Sequence, residues 1–230
     1  MTPLALAQDP GRLPPRRGAD PELFVEELSR KLAEASARLA AAPEPESPAA
    51  DLLAAALREK IETSEVAALW MAGEFDLDLK LAFAGLCGGE ARHYRLLADR
   101  LRVLDAGAAR IDPLARGHSP LFRYLKSLET PAERLAAGLL ARQGLAGARG
   151  AVAADRCRAR GDEETARLLR QVIGPDEAEQ HLLGRRLLVR FAVTPEDQER
   201  ARRALARALQ LSGERREPAR GKPAGGPVPG

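Results

Sequence analysis

Helical periodicity runs almost unbroken from residue 50 to residue 213, and this continuity restricts the chain to an all-α fold. Apolar residues recur there at spacings of three and four, and no segment shows the period-two alternation of a β-strand. The dominant residues, Ala, Leu, Arg and Glu, lose little side-chain freedom in helices. Because aromatic residues make up only 3% of the chain, small side chains must fill the core, and the helices can pack closely.

Four long helices are predicted in this region, with one further helix on either side of them. Three of the predicted starts combine a capping residue with Pro at the first helical position, at Asp20, Thr130 and Thr194. Glu133 follows Thr130 at the third helical position and completes a capping box. We expect the long connection at 105–129 to cross the bundle. The predicted helices span about 21–42, 50–74, 77–104, 130–160, 162–192 and 194–213.

One folded domain is predicted between two disordered ends. Residues 1–20 and 213–230 are of low complexity, rich in Pro, Gly and Arg, and we expect them to be disordered. Residues 21–48 are expected to form the N-terminal helix and a stiff Pro-rich linker, because Pro disfavours helix in the residue before it. The helical bundle is then expected to occupy residues 49–212.

The formal charge of +3 is carried by the two ends of the chain. Residues 1–20 have a net charge of +1 and residues 213–230 a net charge of +2, so residues 21–212 are neutral overall. A nucleic-acid-binding domain is expected to carry a basic face on its folded part. The charge distribution therefore argues against a nucleic-acid partner.

No run of 18 apolar residues occurs in the sequence, so we predict neither a transmembrane helix nor a membrane partner. The N-terminus lacks a basic start, and its only apolar stretch, Leu4 to Ala7, is too short for a secretory signal. By elimination, we expect a cytoplasmic location.

The second long helix carries two polar residues in its apolar stripe. Glu90 and His93 fill the gap between Leu86 and Leu97, so they lie three residues apart on the core-facing side. Burial of an ionised carboxylate is unfavourable unless the group is paired or binds a metal. Glu-x-x-His on one helix is also half of the metal-site pattern of carboxylate-type helix bundles. We therefore predict Glu90 and His93 as metal ligands.

The fourth long helix repeats this feature. Its apolar stripe contains Leu169, Ile173 and Leu188, and Glu177 and His181 occupy the positions between them. Residues four apart lie on the same helix face, so both side chains can reach one ion. We therefore predict Glu177 and His181 as further metal ligands.

The first long helix offers two more carboxylates, Glu62 and Glu65. On a helical wheel the apolar sector includes Leu57, Ile61 and Ala68, and Glu65 lies at its margin while Glu62 lies on the far side. We therefore predict Glu65 as the inward-facing ligand and Glu62 as a solvated residue. A rotation of the helix would exchange the two.

The order of these helices and motifs resembles the ferritin-like superfamily of di-iron and di-manganese proteins. The resemblance covers about residues 50–190, and its motifs are Gly-Glu-Ala-Arg-His-Tyr at 89–94 and Asp-Glu-Ala-Glu-Gln-His-Leu-Leu-Gly at 176–184. These strings are similar to the paired metal motifs of uncharacterised bacterial ferritin-like proteins. The resemblance implies an antiparallel four-helix bundle, a long connection between its second and third helices, and a non-haem dinuclear site of iron or manganese.

Two positions depart from the family pattern. The pattern implies a Glu on the third helix, where the apolar stripe instead holds Gln143, and an amide is a poorer ligand than a carboxylate for a hard divalent cation. A strict Glu-x-x-His ending at His181 would need Glu at the position of Ala178. The candidate metal ligands are therefore Glu65, Glu90, His93, Glu177 and His181, with Glu62 and Gln143 as alternatives.

Two functions of different class follow from these observations. The first is an oxidoreductase that uses iron or manganese with dioxygen, peroxide or a small-molecule substrate, as the resemblance implies. The second is a metal-free helical scaffold or interaction module, which Gln143 and Ala178 favour. An iron-storage subunit is disfavoured, because long ends and an extra N-terminal helix do not suit a compact cage subunit. The Ala- and Gly-rich helix faces make a homodimer a candidate assembly.

Overall fold

A computed structural model describes residues 18–41, 49–105, 112–115 and 117–213, and this part of the chain contains helices and no strand. The all-α prediction is confirmed. The disorder predicted at both ends of the chain and the Pro-rich linker fall almost wholly outside the described residues, so these stay predictions. Within the described ranges, no helix is both long enough and apolar enough to cross a membrane.

The long helices begin and end within a few residues of the predicted positions, although the third and fourth each contain a π-helical segment. We call these segments π1 and π2. A short helix, α4, lies in the connection between the second and third long helices and was not predicted. The elements are α1 (Pro21–Ala41), α2 (Ala49–Ala72), α3 (Leu77–Leu104), α4 (Pro120–Lys126), α5 (Pro131–Arg134), π1 (Leu135–Arg142), α6 (Gln143–Ala159), α7 (Glu163–Arg167), π2 (Leu168–Ile173), α8 (Gly174–Phe191) and α9 (Pro195–Gly213).

The predicted helix starts are confirmed by their capping hydrogen bonds. The Asp20 carboxylate accepts from the first backbone N–H groups of α1. Thr130 and Glu133 form the reciprocal capping box at the start of α5, and the Thr194 hydroxyl accepts from the backbone N–H of Asp197 at 3.1 Å. These contacts satisfy backbone donors that have no partner inside the helix.

The long helices pack as two hairpins. α2 lies against α3, and the composite helix α5–π1–α6 lies against α7–π2–α8. Gly161, with a φ of 81°, allows the tight turn between the second pair. α1 packs on α6 and α8, while α9 packs on α5 and π1. The described part is thus a multi-helix bundle, and its assignment to the ferritin-like fold stays a prediction.

The apolar core is divided into two clusters by a layer of polar residues. The larger cluster contains Trp70 and Phe83, and the smaller one contains Leu53, Leu57 and Leu97. Each of the four long helices contributes a buried polar residue to a group whose members contact one another in this layer: Lys60, Glu90, Gln143 and Glu177. The fold therefore brings a polar layer from four helices into the middle of the bundle.

Candidate functional site: a buried lysine between two glutamates

Lys60 of α2 is the centre of the polar layer. Its Nζ forms an ion pair with Glu177 Oε1 of α8 and lies 3.2 Å from Glu90 Oε2 of α3. The three residues are only 4%, 2% and 2% exposed for Lys60, Glu90 and Glu177 respectively. Because buried charges are stable only when they are paired, the contact fixes α2, α3 and α8 against one another.

The protonation of this cluster follows from burial and mutual attraction. Burial disfavours the charged ammonium of Lys60, but the nearby Glu90 and Glu177 carboxylates outweigh it and raise the pKa of Lys60 above its ordinary value. Burial raises the pKa of Glu177 to about 7, and Lys60 limits this rise. Lys60 is therefore a fixed cation at neutral pH, while Glu177 is poised between its two protonation states.

Gln143 of α6 completes the layer from the fourth helix. Its Nε2 donates a hydrogen bond of 3.0 Å to Glu90 Oε1, and the residue is 1% exposed. The second oxygen of Glu90 faces Lys60. An amide at this position supplies a donor to the carboxylate, whereas a Glu here would add a third negative charge.

His93 lies beside Glu90 and is held by a carboxylate that the sequence did not single out. Its Nε2 lies 2.8 Å from Asp176 Oδ2, and Arg92 pairs with the same oxygen. Burial lowers the pKa of His93, with the Asp176 contact opposing this effect, so the imidazole is neutral at pH 7. Because the carboxylate can only accept, Nε2 carries the proton and Nδ1 is an acceptor, 4.0 Å from Glu90 Oε2.

His181 does not join this cluster. Its Nδ1 donates to the backbone carbonyl of Leu140 in π1 at 3.0 Å. Gly144 gives it room there, since a Cβ at Gly144 would lie 3.1 Å from His181 Nδ1. Burial lowers the pKa of His181, so this side chain is also neutral at pH 7. The imidazole therefore has a structural partner away from Glu90 and Lys60.

The prediction that Glu65 faces inward and that Glu62 is solvated is wrong. Glu62 is 1% exposed and accepts from the backbone N–H and the hydroxyl of Ser119, both at 2.6 Å. Glu65 pairs with His118 at 2.6 Å, and its side chain is 38% exposed. The connection at 117–119 covers the side of α2 that looked solvated on a helical wheel. Neither carboxylate reaches the Lys60 cluster.

A cavity of about 160 Å³ opens between α3 and α8, directly beside the cluster. Glu90, His93 and Asp176 form part of its wall, together with Gly89 and Gln180. Six of the eight residues that line it have polar side chains, and Leu86 and Gly89 are the other two.

The arrangement does not fit a dinuclear metal centre. Of the predicted ligands, Glu90, His93 and Glu177 come together, whereas Glu65 and His181 have partners elsewhere. In the part of the chain that the structure describes, no three His, Cys, Asp or Glu side chains are grouped so that they could hold a metal ion. The ammonium of Lys60 stands where the two central carboxylates would meet a divalent cation.

Sequence reasoning missed Lys60 and Asp176. Lys60 follows Leu57 by three residues and precedes Ala67 by seven, and all three are buried, so its position on the stripe was a usable signal. Asp176 directly precedes Glu177 and carried no comparable signal, because its contact with His93 depends on how α3 and α8 pack.

Relatives of this chain would be expected to share its helices and its polar layer. No family model, no curated protein and no solved structure matches this chain. The ferritin-like assignment therefore rests on the residues quoted above and on the order of the helices. It stays a prediction, as do the iron or manganese cofactor and the activity that it implies.

Proposed function

We propose that this chain is a metal-independent helical interaction module of the ferritin-like type, in which Lys60 replaces the metal. One observation carries the proposal: the Lys60 ammonium pairs with both Glu90 and Glu177 inside the core. A ferritin-like metal centre requires inward carboxylates to be neutralised by divalent ions. Here a side chain of the protein itself supplies the positive charge, so the bundle is stable without a metal.

The electrostatics favour this alternative over the oxidoreductase. A divalent ion placed against Glu90 and Glu177 would lie within a few ångströms of a buried ammonium, where like charges repel strongly. Gln143 further reduces the negative charge that such an ion would need. The charge present in the layer is suited to one monovalent cation, which Lys60 provides.

Metal analysis of the purified protein tests the proposal. Protein expressed with iron and manganese supplied should contain much less than one equivalent of either, and EDTA should leave its unfolding midpoint unchanged. The matched variants are Lys60→Met and Lys126→Met, the second at an exposed position on α4. Near two equivalents of metal in the wild type would overturn the proposal and restore the oxidoreductase. Metal uptake by Lys60→Met alone would support it, because this variant frees the two carboxylates.

An exposed apolar surface supports the interaction role. Phe75, in the turn between α2 and α3, is 99% exposed, and Leu77 and Leu81 of α3 are each at least 60% exposed. Grouped exposed apolar side chains often mark protein contact sites. We call Phe75, Leu77 and Leu81, with the adjoining charges of Asp78 and Arg186, the α3 surface. We propose a second copy of the chain as its partner, because a two-fold dimer would bury the same apolar side chains of both copies against one another.

Sedimentation velocity over a range of protein concentrations tests this self-association. We expect a concentration-dependent dimer that Phe75→Glu and Leu81→Glu each weaken. Leu23→Glu is the matched control, because Leu23 is 71% exposed on α1 and lies outside the α3 surface. A monomer at every concentration, or equal weakening by the control, would rule out the homodimer through this surface.

A further inference from the structure

The cavity between α3 and α8 has the size of a small-ligand site. Its volume is about 160 Å³. An apolar cavity of about 150 Å³ in another protein is large enough for benzene, so this one has room for an organic molecule of about six heavy atoms. Glu90 and His93 lie on its inner wall, and Asp176, Glu179 and Gln180 of α8 lie opposite.

The wall presents buried acceptor atoms that no donor of the described residues satisfies. These atoms are His93 Nδ1 and Gln180 Oε1, and Glu90 Oε2 also lacks a hydrogen bond, although it forms an ion pair with Lys60 Nζ at 3.2 Å. His93 is 2% exposed, so an acceptor without a donor is costly there. His93 Nδ1 is an acceptor because Asp176 holds the proton on Nε2. A molecule that satisfies this wall must therefore bring hydrogen-bond donors.

The net charge of the wall determines whether a neutral or a charged donor molecule is favoured in the cavity. Its ionisable side chains are the carboxylates of Glu90, Asp176 and Glu179 and the guanidinium of Arg92. Lys60 lies behind Glu90, 3.2 Å from Oε2. With Glu177, the other partner of Lys60, these groups carry a net charge of −1 when Glu177 is protonated and −2 when it is ionised, so the wall favours a cation. A divalent ion would be repelled by the nearby Lys60 ammonium more strongly than a monovalent one.

We propose that this cavity binds a small primary ammonium compound, whose N–H groups donate to Glu90 Oε2 and His93 Nδ1 while its short alkyl chain packs on Leu86 and Gly89. The inference goes beyond the interaction role and does not depend on it. Ammonium supplies three donors and one positive charge, which suit the acceptors and the negative charge of the wall. A quaternary ammonium of similar size has the charge without the donors.

Calorimetric titration of the full-length protein with n-butylammonium chloride, at constant ionic strength and pH 7.5, tests the proposal. We expect n-butylammonium to bind, with n-butanol at least about tenfold weaker and tetramethylammonium showing no binding. The ¹⁵N resonance of His93 Nδ1 should shift during the titration, because this atom gains a donor. That resonance reports on the cavity itself, whatever the oligomeric state or metal content of the protein.

Two adjacent glycines provide a matched pair of variants. Gly89 lines the cavity and Gly88 does not, and a Cβ at either position meets no atom within 4 Å. Gly89→Leu should fill the cavity and abolish binding, whereas Gly88→Leu should bind as the wild type does. Both substitutions replace Gly in a helix, which favours folding by a similar amount. His93→Phe, which removes the acceptor, should weaken binding by about tenfold or more.

Several results would overturn this proposal. They are the absence of heat with n-butylammonium in the wild type, equal binding by Gly89→Leu and Gly88→Leu, and tetramethylammonium binding as tightly as n-butylammonium. Tighter binding of Mn²⁺ than of n-butylammonium, lost in Gly89→Leu, would also overturn it. Evidence against the proposed interaction role would come from different measurements, namely the metal content of the purified protein and its sedimentation velocity.

Discussion

Lys60 and Glu177 form a buried ion pair across the bundle, although 117 residues separate them in the sequence. Glu90 lies on the other side of the same ammonium, so one cation serves two carboxylates from different helices. Neither carboxylate has another cation within ion-pair distance among the described residues, apart from the weak contact of Glu90 with neutral His93. The stability of the polar layer therefore depends strongly on Lys60.

Replacement of Lys60 by Met should lower the free energy of unfolding by about 3–5 kcal/mol at pH 8, because two buried carboxylates lose their shared cation. Denaturant unfolding followed by circular dichroism measures the change. Lys126→Met serves as control and should stay within about 0.5 kcal/mol of the wild type, since Lys126 is exposed. Equal effects of the two substitutions would contradict the central role of Lys60.

The pH dependence of stability should carry the signature of Glu177. Burial raises the pKa of Glu177 from 4.5 to about 7 in the folded state. Between these two values the folded protein holds a proton that the unfolded chain has released, so this group's contribution to stability falls as pH rises through this window. Glu177→Gln removes that titration. Relative to the wild type, the variant should therefore gain about 3 kcal/mol between pH 4.5 and pH 7.5.

Denaturant unfolding at several pH values tests this, with Glu179→Gln as the control. Glu179 is exposed on the same helix, so its substitution should change stability by a similar amount at every pH. The prediction concerns the difference between variant and wild type, because other buried groups titrate in the same range. A constant difference for Glu177→Gln would show that Glu177 does not hold its proton in the folded state.

The sequence predicted the helices well because their signals are local. The capping box of Thr130 and the spacing of apolar residues depend only on neighbours within a turn or two. The burial of Glu90, His93 and Glu177 was predictable for the same reason, since each interrupts an apolar stripe. The family resemblance then led to a metal as their partner, whereas the structure places Lys60 there.

The features that the sequence did not reveal depend on tertiary packing. Lys60 lies on the apolar stripe of α2, but lysine usually keeps its ammonium in water, so the stripe alone does not show that the ammonium is buried between two carboxylates. Glu62 is buried instead of Glu65 because the connection at 117–119 packs over Glu62. No local sequence pattern encodes the path of this connection. His181 lies on the predicted stripe, but its ring reaches the backbone of Leu140 instead of Glu177.

The protonation of His93 should be visible by NMR. Burial lowers the pKa of His93 and the Asp176 hydrogen bond opposes this, so we expect a neutral ring at pH 7 with its proton on Nε2. Long-range ¹H–¹⁵N correlation spectra distinguish the two tautomers. Asp176→Asn should lower the pKa further and weaken the preference for the Nε2 proton. A ring charged at pH 7, or protonated on Nδ1, would contradict this assignment.

Substitution of Glu62 should lower the free energy of unfolding more than substitution of Glu65 does, whereas the helical wheel implies the reverse. Glu62→Gln should lower the free energy of unfolding by about 1–3 kcal/mol, because Gln keeps only one acceptor oxygen for Ser119 and removes the partly buried ion pair with Arg58. Glu65→Gln should cost less than about 1 kcal/mol, since its pair with His118 is partly exposed. Both values follow from denaturant unfolding at pH 7. A larger loss for Glu65→Gln than for Glu62→Gln would contradict the contact between Glu62 and the connection at 117–119. It would indicate that Glu65 is the inward carboxylate.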